Sequence, residues 1–263
     1  MKKYVGLTWQ DQWVAFYTIV LKEVNRFMRI WSQTLLPPVI TQSLYFIIFG
    51  GFIGSQLPPI NGISYMAFII PGLVMMAVIT SAFQNVVSSF FGAKFQKNVE
   101  ELIVSPTPNW VIIAGYCMGG VLRALLVGII VFLVSVFFVR PVVHNIWIVI
   151  LFSLLTALLF SFAGMINAVF AKKFDDVTIF PTFVLTPLTY FGGVFYSINR
   201  LPEFWQGVSR FNPILYLVDG FRFGFFGFSD VPVWQSAVIL SALTVFLAIW
   251  CNWLMKKGVG MKN

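Results

Sequence analysis

Six apolar runs dominate the sequence, each about as long as a bilayer is thick when wound as helix. They fall at Thr34–Ile53, Tyr65–Phe90, Val111–Phe138, Ile146–Phe170, Val177–Tyr196 and Trp234–Met255. A helix needs roughly 20 such residues to cross the hydrocarbon core. Lipid offers the backbone no hydrogen-bond partner, so these runs must close their bonds internally as helices. The expected fold is an all-α polytopic membrane protein with six transmembrane helices. Only 10% of the 263 residues are charged, against about 25% in a soluble domain. No segment outside the runs is long enough to fold alone, so residues 1–263 read as one transmembrane domain.

The net charge of +8 raises nucleic acid as a partner, but the placement of the cations reads as topology instead. Lys2, Lys3, Lys22, Arg26 and Arg29 precede the first run. Lys94 and Lys97 follow the second, Lys172 and Lys173 the fourth, and Lys256, Lys257 and Lys262 the last. Those twelve share one side, against Arg140, Arg200, Arg210 and Arg222 on the other. By the positive-inside rule both termini are expected in the cytoplasm, with no nucleic-acid partner.

Two further segments touch the membrane without crossing it. From Trp9 the apolar residues Trp13, Phe16, Val20, Val24, Phe27 and Trp31 recur at helical spacing, with Asp11, Lys22, Arg26 and Arg29 largely opposite. Residues 1–31 therefore read as an interfacial amphipathic helix, basic side toward anionic headgroups. No apolar stretch with a small-residue cleavage site follows the start, so a signal peptide is not expected. Residues 197–231 hold apolar pieces too short to span, with Pro202 and Pro213 each suited to a helix start. Two short helices that dip into the outer leaflet and return are expected there. Their aromatics, including Phe204, Trp205 and Phe211, suit either an interfacial anchor or an outer gate where substrate leaves.

Residues for chemistry are scarce. No Gly-Lys-Ser/Thr occurs, which excludes a Walker A loop. His144 is the one histidine, so a His-rich metal site is excluded. Cys117 and Cys251 lack metal or redox spacing and read as buried thiols. No carboxylate falls mid-span, which leaves an ion-coupled relay without acids. Catalytic residues, metals and cofactors on this chain are not expected, and neither is an energy source of its own.

Arg123 is the exception inside a span. A central arginine costs about 2.5–3.5 kcal/mol on insertion scales. It either lines a pathway for an anionic substrate or pairs with a neighbouring carbonyl or a second copy. Gly115 and Gly119, and Gly220 and Gly224, have the spacing that lets helices approach closely. The fifth run carries Pro181 and Pro187, then Phe191 and Gly192–Gly193. A helix so interrupted is either an interior, movable element or a kinked structural one.

Residues 94–108, "KFQKNVEELIVSPTP", stand out from this background. Phe95, Val99, Leu102 and Ile103 fall on one helical face, and Lys94, Lys97, Asn98, Glu100 and Glu101 mostly on the other. Pro106 and Pro108 stop the helix. It is either a solvated loop or a cytoplasmic docking lever joined to two spans.

With "RFMRIWSQTLLPPVITQSLYFIIFG", "AKFQKNVEELIVSPTPNWVIIAGY", "AKKFDDVTIFPTFVLTPLTYFGGVFYS" and "LPEFWQGVSRFNPILYLVDGFRFG", the chain resembles a permease of the type 2 ABC exporter family. The resemblance implies six spans, an N-terminal connecting helix and two re-entrant helices before the last span. It implies a bacterial inner-membrane location, pairing of two permeases, and two separate cytoplasmic ATP-binding subunits that hold ATP and Mg. The family's coupling helix maps to about residues 96–105, with Asn98, Val99, Glu100, Glu101 and Leu102 at its centre. Arg123, Pro181, Pro187, Phe191, Phe204, Trp205 and Phe211 are the candidate pathway or gate residues. The expected function is the permease of an ATP-driven exporter of an amphipathic lipid, glycan or drug-like molecule. The alternative is a membrane scaffold that transports nothing.

Overall fold

The computed structural model describes residues 8–60, 62–139 and 141–260, and within them every side chain but those of Glu100 and Ile103. Lys2, Lys3, Arg140 and Lys262 of the charge count lie outside the described residues. The described chain is helical, without strands. In order it forms α1 (Trp9–Arg29), α2 (Trp31–Thr34), α3 (Leu36–Tyr45), α4 (Tyr65–Phe95), α5 (Asn98–Val104), α6 (Asn109–Val136) and α7 (Ile146–Phe170). There follow α8 (Phe174–Phe180), α9 (Thr186–Phe191), α10 (Glu203–Arg210), α11 (Pro213–Phe226) and α12 (Val233–Lys257). A π-helix, Phe46–Ile53, extends α3, and another, Pro181–Leu185, joins α8 to α9.

Five helices are long and apolar enough to cross a membrane: Trp31–Gln56, α4, α6, α7 and α12. All five match expected runs to within a few residues, the largest difference being the end of α4, which runs on to Phe95. The fifth expected run, Val177–Tyr196, is not among these five. Its helix instead covers Phe174 to Phe191 in three pieces and stops before Gly192–Gly193.

The core is built around α4, which is apolar on nearly every side, as a helix enclosed by others should be. It packs against α6, α7, α11 and α3. Local chemistry sets the ends. Thr8 and Asp11 form a capping box at α1, and Asn145 receives the backbone N–H groups of Trp147 and Ile148 at the start of α7. Asn212 does the same for α11, whose first residue is Pro213, and Gly227 ends it at φ 74°. Each side chain meets N–H groups that the first helical turn leaves unpaired.

Two rims result. At one, the Lys94 ammonium donates to the carbonyls of Val169 (2.7 Å) and Ala171 (2.6 Å) at the end of α7. At the other, the His144 and Asn145 N–H groups bond Phe225 and Gly224 carbonyls, and the Tyr65 hydroxyl bonds the Phe195 carbonyl. The segment between α9 and α12 thus gathers with the start of α4 and the α6–α7 turn.

Candidate functional site

The charged stretch after α4 is a helix, as its pattern predicts. The chain turns at Lys97, a non-glycine residue in the left-handed region at φ 63°, and α5 follows immediately. Val99 is buried and Leu102 packs against the core, while Asn98, Glu101 and Val104 face outward. The sequence puts Phe95 on the inner face with them. It is instead exposed, with its ring 4.8 Å from that of Phe174. That pairing suits an aromatic at the membrane boundary, where rings find partners outside the core. The outcome is an outward surface of Phe95, Phe174, Val104 and Glu101 at this rim. Nearby, Asp176 accepts the backbone N–H groups of Lys172 and Lys173 at 2.8 and 2.9 Å. Those bonds favour the carboxylate and hold its pKa below the ordinary value.

The helix α1 buries Phe27 of its apolar stripe together with two residues that the stripe does not announce, Ile19 and Glu23. Trp9 and Trp13 remain exposed. Ile19, Glu23 and Phe27 turn inward, and Glu23 is 0% exposed. Its carboxylate accepts from the Ser89 hydroxyl (2.6 Å) and from Arg26 Nε and Nη2 (3.2 and 3.1 Å). Arg26 Nη2 also reaches the Asn85 carbonyl and Oδ1. Arg26 thus points into the protein rather than toward headgroups. A charge this deep is tolerated because it is paired and hydrogen-bonded. Gly115 and Gly119 supply the seat, for a Cβ on either would collide with Ile19 or Glu23. The small-residue spacing in the sequence therefore has a named partner, α1.

Arg123 is buried, and its Nη2 donates to the Thr34 carbonyl at 3.0 Å. That carbonyl is the one a helix would pair with the N–H of residue 38, which is Pro38 and has none. The arginine fills the vacancy where α2 meets α3. It shares no hydrogen bond or ring contact with the aromatic gate candidates.

Those candidates divide. Phe191 stacks on Trp205 (5.7 Å, 17°), and Trp205 meets Phe204 edge-on at 5.4 Å. Phe211 stands apart at 92% exposure, beside Tyr216 and Phe246. Pro181 opens the π-helix of the fifth run and Pro187 lies in the first turn of α9. The Thr186 hydroxyl donates to the Pro181 carbonyl at 2.9 Å, five residues back, which meets one bond that the widened turn disturbs. Charge reading alone missed the polar knot behind this cluster. Arg222, assigned to a loop, is 2% exposed, lies over the Phe68 ring and donates to the Gly193 carbonyl at 2.6 Å. Asp219 accepts the Asp230 and Val231 N–H groups, and Asp230 accepts from Ser197, Ile198 and Asn199.

Sequence reading also missed a polar groove. α4 is buried along most of its length, but Thr80, Gln84 and Ser88, four residues apart, open outward. Thr178, Thr182 and Thr186 repeat that spacing on the fifth run and are exposed. The two stripes meet in a cavity of about 180 Å³ lined also by Thr189, Met76, Pro181 and Leu185. Threonine is apolar enough to vanish in a hydropathy average, and only the repeat at four-residue intervals marks it beforehand. Among the described residues, no group of three His, Cys, Asp or Glu is placed to hold a metal ion.

Residues 14–226 match the ABC-2 type transporter family. The chain is 57% identical to the inner membrane transport permease YadH of Escherichia coli K12, over 95% of this chain and 98% of that one. It is 22% identical to nodulation protein J of Rhizobium leguminosarum bv. viciae, over 93% and 91% of the two chains. Nodulation protein J of Rhizobium meliloti is 25% identical over 81% and 78%.

Proposed function

The chain belongs to the ABC-2 type transporter family and is a multi-pass inner-membrane permease subunit of an ABC transporter; from that premise we infer that it is the passive gate of an exporter driven by cytoplasmic ATP-binding subunits. One observation carries the reading. A single helix, α4, bears the polar stripe of half-buried Thr80 and exposed Gln84 and runs directly into the lever α5. A displacement of the lever therefore moves one wall of the groove.

Exposed hydroxyls and an amide halfway along a membrane helix need water or protein opposite them, not lipid. We read the groove as one side of a wet pathway, closed by a second copy of this chain. Exposed apolar residues on the first and fifth runs, among them Leu44, Ile48, Phe52 and Phe183, suit the contact around it. In this reading the fifth run is the sixth span, α10 and α11 dip into the outer leaflet, and both termini are cytoplasmic. Two ATP-binding subunits carry ATP and Mg and grip α5 through Asn98, Glu100 and Glu101, while Val99 and Leu102 seat the lever on the bundle rather than touching a partner. Their closure drives the lever. Spans one, two and five shift, and an amphipathic molecule leaves past Phe191, Phe204 and Trp205. Pro181 and Pro187 give the fifth span a bendable ladder, Arg123 braces the first span beside the pathway, and Phe211 marks the outer interface.

The test is charge reversal at the lever. Replacing Glu100 and Glu101 together by Lys is expected to leave expression and melting unchanged and to separate ATP hydrolysis from transport. Undiminished transport and stimulated hydrolysis in the double variant sink the assignment of α5.

A further inference from the structure

A second cavity, of about 340 Å³, lies between α6 and α7. Its floor is Val74 and Val78, two residues removed from Met76 and Thr80, so it opens on the opposite side of α4 from the polar groove. We propose that it holds one acyl chain of a bilayer phospholipid, drawn from the leaflet at the α6–α7 turn and kept as a fixed part of the bundle.

The shape follows from packing. α6 and α7 touch where a Cβ on Gly120 would meet the Ser161 hydroxyl. Toward the turn, α11 enters as a wedge. Its Gly220 and Gly224 lie on Phe152 and Val149 of α7, and its Phe225 ring stands 5.7 Å from that of Phe132 on α6. The cavity is the space in front of that wedge, with Phe221 and Phe225, each 2% exposed, as its back wall. Ile129, Ile150 and Leu154 are exposed and frame its mouth. From Ile146 to Leu154 it follows α7 for about 12 Å.

The occupant is identified by what can reach the space and fill it. The mouth is continuous with the apolar faces of two helices long enough to cross the membrane, so what meets it is hydrocarbon. Water finds no partner inside. The one polar side chain among the described lining residues, Ser153, donates its hydroxyl proton to the Val149 carbonyl at 2.8 Å, and apolar cavities stay dry. A cavity of roughly 150 Å³ with aliphatic and aromatic walls takes up a benzene ring. One about twice that volume, elongated and open at the side, takes up a length of chain. The hydrophobic effect contributes nothing, because the chain leaves lipid rather than water. Dispersion supplies the gain, since an unfilled space leaves its lining atoms without partners on one side. With α11 as the back wall, the chain braces the re-entrant helix from behind.

The experiment uses the full chain in nanodiscs of phosphatidylethanolamine and phosphatidylglycerol, with a trace of phosphatidylethanolamine carrying a photoactivatable diazirine midway along one acyl chain. After irradiation and digestion, mass spectrometry locates the adducts. They are expected on Phe221 or Phe225, which the bilayer surface does not reach, as often as on the exposed Val245 and Ile249 of α12. Ser153→Phe fills the cavity, and Ile150→Trp, starting from an exposed position, blocks its mouth should the first variant fail to fold. Either is expected to cut the α11 adducts roughly tenfold, the factor that about ten lost carbon–carbon contacts amount to, and to leave those on α12 unchanged. Adducts on Ile129 and Ile150 but none on α11 mean ordinary bilayer contact and overturn the proposal. Adducts on neither mean that another protein surface, such as a second copy, covers this face, and overturn it as well. So do α11 adducts that both variants leave undiminished, or that form from free photoactivatable palmitate and not from the phospholipid.

Discussion

Removing the buried carboxylate of α1 tests the joint between the connecting helix and the bundle. Glu23 accepts from Ser89 and twice from Arg26, with no exposure to water. Breaking a buried ion pair from one side costs about 3–5 kcal/mol, because the remaining charge is stranded. The two sides are not equivalent here. After Glu23→Ala, Arg26 keeps the carbonyl and Oδ1 of Asn85, and its side chain is 26% exposed. The loss then falls at the low end, about 3 kcal/mol. After Arg26→Ala, an enclosed carboxylate keeps only Ser89, and the loss moves to about 5 kcal/mol. Glu23→Gln preserves shape and one acceptor and loses about 1–3 kcal/mol. At about 2–4 °C per kcal/mol for a chain of this size, Glu23→Ala melts roughly 6–12 °C early. Cys117 and Cys251 are free and buried, so a thiol-reactive dye reports the melt without added labels. The expected order of damage is Arg26→Ala, then Glu23→Ala, then Glu23→Gln. Alanine variants within about 2 °C of the parent, or the reverse order, would show that this pair does not hold α1 in the membrane.

Three other outcomes follow from the structure. Arg123→Leu strands the Thr34 carbonyl and destabilises by about 1–3 kcal/mol; adding Pro38→Ala restores an N–H partner, and a double-mutant cycle by thermal melting should recover most of the loss. Lys97→Gly relieves a left-handed non-glycine turn and is expected to stabilise by about 1 kcal/mol or leave melting unchanged, whereas Lys97→Val should destabilise. The Asp176 carboxylate has a depressed pKa, so its hold on the Lys172 and Lys173 N–H groups is full above the ordinary value of 3.8 and fades as pH falls through the lower folded value; amide NMR shifts of both lysines should stay flat from neutral pH to about 5, and Asp176→Asn should abolish their acid-side change.

Much of the scaffold was legible beforehand for a simple reason: lipid enforces length and apolarity. The spans at Tyr65, Asn109, Ile146 and Val233 could be found by that rule alone. Pro202 and Pro213 announced the two short helices, and Pro106 and Pro108 the end of α5. What stayed hidden depends on which apolar surface is which. Lipid and protein interior are equally apolar, so the stripe of α1 could not say that Glu23 and Arg26, rather than Trp9 and Trp13, meet the bundle. Counting Arg222 as a loop cation concealed that Asp219 and the Gly193 carbonyl receive it. The paired threonine stripes emerge only when two helices distant in sequence lie side by side.

The ammonium of Lys94 gives the lever an unusual mounting. It sits one residue before the end of α4 and clasps two carbonyls at the foot of α7. The pivot of α5 is accordingly shared by two columns of the bundle, and a thrust delivered there is divided between them. A bend confined to the tip of one helix would have to pull that clasp apart, so the rim is mechanically inclined to travel as a block.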